Sequence, residues 1–87
     1  MEPEIRAECG RIADMLAEKN RRYGNSALAP LRIFSQASTV EQLLVRIDDK
    51  LSRIRTMGCK DIAPDEDTVS DLMGYLVLLK IALRRKT

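Results

Sequence analysis

The chain has 87 residues, with 15 Lys and Arg against 13 Asp and Glu, for a formal charge of +2. That length makes a single domain over residues 1–87, near the size where one core is only just sufficient and oligomerisation is a common remedy. Three aromatics, Tyr23, Phe34 and Tyr75, are too few and too scattered to stack bases, and no basic segment interleaves with them, so nucleic acid is not an expected partner.

Histidine is absent, which removes the imidazole-dependent serine, cysteine and zinc mechanisms and leaves carboxylates and basic groups as the available chemistry, with magnesium as its natural metal. Cys9 and Cys59 lack metal-type spacing and read as ordinary reduced thiols. The apolar run Leu76 to Leu79 is too short to span a bilayer, and no signal-peptide pattern is visible, so no membrane association and a cytoplasmic location are expected.

The first predicted helix covers roughly Pro3 to Tyr23. Pro3 suits a first turn, Glu2 and Glu4 favour a helix N-terminus, and Ile5, Cys9, Ile12, Met15 and Leu16 recur on one face. Lys19, Arg21 and Arg22 complement its C-terminus, and Gly24 is the expected left-handed stop. From Asn25 to Ser38 the periodicity fails around Pro30, yet Leu28, Leu31, Ile33 and Phe34 are too apolar for a free linker, which predicts an ordered loop.

The second helix is predicted over Thr39 to Met57, because Ser38 or Thr39, with Glu41 or Gln42 three residues on, forms a capping box. Leu43, Leu44, Ile47, Leu51 and Ile54 make its core stripe, and Gly58 is its expected end. Arg46, Asp49, Lys50 and Arg53 gather along its edge, where helical spacing alone reads them as ion pairs on a solvated face.

The third helix, Glu66 to Lys86 with Asp65 as N-cap, is the longest uninterrupted helical signal, and the others are expected to pack on it. Val69, Leu72, Met73, Leu76, Leu79 and Leu83 form a broad stripe that predicts its core face. Asp67, Asp71, Gly74, Leu78 and Ala82, with Tyr75 beside them, form a second line, which is expected to be a subunit seam with Gly74 and Leu78 at the contact. Asp71 lies beyond the first turn, on a line leading into that seam, so it needs a cation or a basic partner such as Arg46 or Arg53. The expected fold is all-α: three main helices assembling into a helical-bundle homo-oligomer.

Three blocks then carry a resemblance: Lys19-Asn20-Arg21-Arg22-Tyr23-Gly24-Asn25-Ser26, Arg46-Ile47-Asp48-Asp49-Lys50-Leu51-Ser52-Arg53, and Glu66-Asp67-Thr68-Val69-Ser70-Asp71-Leu72-Met73-Gly74-Tyr75. In order and approximate spacing they resemble the MazG-like group, small phage and prophage proteins of the nucleotide modification associated domain type, related to the all-α nucleoside triphosphate pyrophosphohydrolases. The resemblance implies a nucleotide bound between helices of an oligomer, with Mg2+ held by Asp49, Asp67 and Asp71. It also implies that Arg46, Lys50 and Arg53 face phosphates. Lys19 falls in the first matching block, in which Asn20 and Tyr23 are candidates for base or sugar contacts; that block could equally be a helix stop whose tyrosine packs as a lid.

The full enzymes of that group carry a paired E-x-x-E motif that this chain lacks. Helix one offers only Glu4 with Glu8 and Asp14 with Glu18, each pair four residues apart. Three functions therefore stay open: a magnesium-dependent pyrophosphohydrolase, a non-catalytic nucleotide-binding or sequestering module, and a structural helical oligomer.

Overall fold

The computed structural model describes residues 1–24, 28 and 35–85. Among these residues the chain is three α-helices and no strand: α1 (Glu2–Arg22), α2 (Thr39–Cys59) and α3 (Glu66–Arg85). Most of the predicted ordered loop between α1 and α2 lies outside the described residues. None of the described helices is long and apolar enough to cross a membrane.

The helix ends follow local chemistry. Pro3 and the acids Glu2 and Glu4 occupy the first turn of α1, and Gly24 has the left-handed φ of 62° beyond its last turn. Ser38 caps α2, its Oγ accepting from the Glu41 N–H at 3.1 Å. Gly58 does not end α2. The helix runs through it to Cys59, and the left-handed residue is Asp61, at φ 59°. The Ile62 N–H donates to the Met57 carbonyl at 2.8 Å and the Asp61 N–H to the Gly58 carbonyl at 3.0 Å. Those two bonds are the Schellman pattern, with an aspartate in place of the usual glycine.

At the start of α3 the Asp65 carboxylate accepts from the Thr68 N–H at 2.9 Å. Hydrogen bonding from Thr68, through its side chain and then its backbone, holds the Asp65 carboxyl below its ordinary value. A lowered folded value means that the cap stabilises fully above the unfolded aspartate value of about 3.9 and fades as the pH falls through the lower folded one. Asp65→Ala is therefore expected to lower the melting temperature at neutral pH, with the deficit closing in acid. A deficit that stays constant from about pH 7 down to about pH 2 would show that the charge plays no part in the cap.

As expected, α3 is the element on which the others pack. α2 runs antiparallel to it, Lys50 lying opposite Asp71 and Arg46 opposite Tyr75. α1 approaches α3 over a shorter stretch centred on Gly74, and α1 and α2 make no close backbone contact with each other. A Cβ at Gly74 would stand 2.9 Å from Leu16 Cδ2 and 3.3 Å from Met15 Cε, so the missing side chain is what lets α1 settle there.

That contact corrects the assignment of faces on α3. Gly74 and Ala82 are buried within the chain, with Thr68, Ile12, Leu43, Ile47 and Thr39. The line read as a subunit seam is thus the inner face. Much of the stripe read as core points outward instead, with Val69 39% exposed, Leu76 44% and Leu83 56%. Small residues at Gly74 and Ala82 permit closer approach than the leucine side would, and the helices of this chain take that side. Leu44 and Leu51, also expected in the core, and Ile5, on the apolar face of the first helix, are likewise exposed.

The result is an open molecule. Its accessible surface is 6858 Å², whereas a compact monomer of 9.9 kDa exposes about 5,200 Å². Its radius of gyration is 14.5 Å against about 12 Å for a compact chain of this length.

Candidate functional site

The three helices meet around a cleft of ≈ 320 Å³. Leu16, Leu43, Gly74 and Leu78 supply its apolar lining; Lys19, Asn20 and Tyr23 come from the end of α1, Gln42 and Arg46 from α2, and Asp71 and Tyr75 from α3. A second, shallower groove shares Gln42, Arg46 and Tyr75 with the cleft and adds Asp49, Lys50 and Arg53 along the outer edge of α2. All six residues expected to contact nucleotide, Lys19, Asn20, Tyr23, Arg46, Lys50 and Arg53, therefore line one or other of two adjoining depressions.

The gathering follows from helix geometry. Lys19 and Tyr23 are one turn apart on α1, as are Gln42 and Arg46 on α2 and Asp71 and Tyr75 on α3, so each helix offers two side chains to the same opening. The Arg46 guanidinium lies over the Tyr75 ring, 6.0 Å from its centroid, at the outer limit of a cation–π contact. It forms part of the wall shared by cleft and groove.

Asp71 is the most heavily engaged acid of the site. Its Oδ1 lies 3.6 Å from Lys19 Nζ and its Oδ2 lies 3.4 Å from Lys50 Nζ. The Lys50 side chain is only 12% exposed, Asp71 32% and Lys19 52%. Asp71 thus has the basic partners its position demanded, but they are these two lysines rather than Arg46 or Arg53. Helical spacing within one element carries no sign of them, since each comes from a different helix.

The other acids are placed differently. Asp49 pairs with Arg53 at 3.5 Å, four residues apart and well exposed, so for this pair the solvated-face reading fits, and such pairs contribute only a few tenths of a kcal/mol. Asp67 is exposed in the first turn of α3, where the helix dipole suffices to explain it. Among the described residues no three acidic, cysteine or histidine side chains sit together as a metal-binding group. The set of Asp49, Asp67 and Asp71 is therefore not brought into one cluster: Asp49 turns to Arg53 on the outer edge of α2, while both Asp71 oxygens face ammonium groups.

The acids of α1 serve its own surface. Glu4 pairs with the N-terminal ammonium at 3.4 Å, Glu8 with Arg11, and Glu18 with Arg21 at 2.8 Å and Arg22 at 3.6 Å. Glu8, through hydrogen bonding and charge, also raises the Arg11 guanidinium above its ordinary value. Sequence reasoning missed Gln42, Leu16, Leu43 and Leu78 as walls of the cleft. The signal for the leucines was present as apolar periodicity, but periodicity reports that a residue faces inward and not that it borders a cavity. No family model, curated protein or solved structure matches the chain.

Proposed function

We propose that this chain is a nucleotide-binding protein that works as a homo-oligomer, in keeping with a cytoplasmic location, with the nucleoside seated against Tyr23 and Tyr75 and the phosphates directed to Lys19, Lys50, Arg46 and Arg53. The observation that carries the reading is the convergence of two tyrosines and two cations, drawn from all three helices, on one cleft of ≈ 320 Å³. That volume lies at the lower end of the range for small-ligand pockets, and the lining combines apolar walls with a few polar groups, as such pockets do. The adjoining cationic groove would accept a phosphate chain that leaves the cleft past Arg46.

Binding is favoured over catalysis because Asp71, the acid a magnesium ion would need most, already faces two ammonium groups. A second reading, magnesium-dependent pyrophosphohydrolysis, rests on Asp67 and Asp71 standing four residues apart on one line of α3. A metal held there would coordinate phosphate oxygens and activate water.

Calorimetric titration with nucleoside mono-, di- and triphosphates, in chelator and in magnesium, alongside an assay for pyrophosphate release, separates these. Binding without turnover supports the binding module, turnover in magnesium the hydrolase, and neither the scaffold. Tyr23 is 61% exposed, so Tyr23→Ala leaves the fold intact and is expected to weaken nucleotide binding by about tenfold, the size of one base-stacking contact. An unchanged affinity would return Tyr23 to the role of a helix end.

A further inference from the structure

We infer that Lys19 and Lys50 form an oxoanion site, which the Asp71 carboxylate holds in this structure and a ligand phosphoryl group takes over. Asp71 is then an internal counter-ion of the site and not a metal ligand. Two ammonium groups from helices that make no close backbone contact with each other converge on the two separate oxygens of one carboxylate, at 3.6 and 3.4 Å. That is the arrangement in which two lysines grip two oxygens of a phosphoryl group as point charges. The Lys50 side chain is largely covered, and an ammonium drawn this far into the protein is stabilised by an accompanying anion. Two positive charges share one negative charge, with the Arg46 guanidinium on the same cleft wall. A dianionic phosphoryl group would balance this cluster better than the carboxylate does. Swinging Asp71 aside about its own side-chain torsions would leave both lysines facing the incoming anion.

The ligand's identity rests on the nucleotide-binding reading above, but the anion site does not, and inorganic pyrophosphate is the probe that separates them. In chelator, without any divalent metal, Asp71→Asn is expected to bind pyrophosphate at least about fivefold more tightly than the unaltered chain, because a competing charge within ion-pair distance has been removed. A metal ligand would give the opposite sign. Asp48→Asn, which removes an exposed acid of α2 that lines neither the cleft nor the groove, should leave the affinity within about twofold. Lys19→Ala, at a half-exposed position, should lower it and provides the test if Asp71→Asn does not fold.

Weaker or equal pyrophosphate binding in Asp71→Asn, an equal gain in Asp48→Asn, undiminished binding in Lys19→Ala, or no binding by any of these proteins would overturn the inference. If pyrophosphate behaves as expected while a nucleoside triphosphate binds no better than inorganic triphosphate, the nucleotide reading fails and the anion site stands. If nucleotide binding depends on Tyr23 while Asp71→Asn brings no gain, the anion site alone fails.

Discussion

Leu43→Ala is expected to cost about 2–5 kcal/mol of unfolding free energy, the range for truncating a leucine in a closed core. Leu43 is 2% exposed and is the largest fully buried side chain among the described residues. It lies on the face of α2 that meets α3 and also borders the cleft between the helices. A domain of this size commonly has roughly 4–13 kcal/mol in total, so the loss would remove a substantial share of it. Urea denaturation of the variant beside Leu44→Ala checks it. Leu44 is the next residue in the chain but 38% exposed, and should cost far less in the isolated subunit. Equal costs for the two, measured at concentrations where the chain is monomeric, would mean that α2 presents a different face to α3 in solution.

The helices, their order, the N-caps of α2 and α3 and the stop of α1 were legible in the sequence because each depends on residues within a few positions: Ser38 with Glu41, Asp65 with Thr68, Gly24 after the basic last turn of α1. The face that α3 turns inward was not. Its Gly74–Leu78–Ala82 line and its Val69–Leu76–Leu83 line are both apolar, and periodicity cannot rank two apolar sides. The choice depends on how closely Leu16 can approach at Gly74, which is a property of the helix pair. The end of α2 was misplaced for a related reason. Glycine is the usual left-handed residue, but the Schellman bonds to Met57 and Gly58 put Asp61 in that position.

For the site, residue spacing alone favoured a solvated charged edge on α2, and the exposed Arg53–Asp49 pair fits that reading. Lys50 does not. It lies one turn from Arg46 on the same edge, yet turns inward to Asp71, because antiparallel packing sets those two residues opposite each other. Lys19 joins them only because α1 crosses α3 at Gly74, immediately beside the cleft. Cross-helix partnerships of this kind arise from the packing of elements remote in sequence, and no pattern within one helix encodes them.

The exposed line on α3 leads to the largest expected effect on assembly. Val69, Leu76 and Leu83 recur every seven residues, so they lie nearly above one another. Leu44 and Leu51 repeat by the same interval on α2. In an antiparallel pair whose one side carries Arg46, Asp71 and α1, both sets fall on the other side, which makes a continuous apolar face spanning two helices. The whole chain exposes roughly 1,700 Å² more than a compact monomer, which exceeds the about 800 Å² that each partner contributes to a standard interface. A second copy of the chain applied to this face would cover it. Such a seam would lie opposite the one suggested by Gly74 and Leu78, and would leave the cleft uncovered. Leu76→Glu puts a carboxylate at the middle of the line, and is expected to raise the dissociation constant of the assembly by at least about thirtyfold, the effect of losing one central interface residue. The unaltered chain should be a dimer or larger by light scattering at micromolar concentration, with a melting temperature that rises with concentration, and Leu76→Glu should lose both properties. A monomeric unaltered chain would end the homo-oligomer proposal. An assembly that Leu76→Glu leaves intact would move the interface to another surface, where the exposed Ile5 of α1 is the next apolar side chain to change.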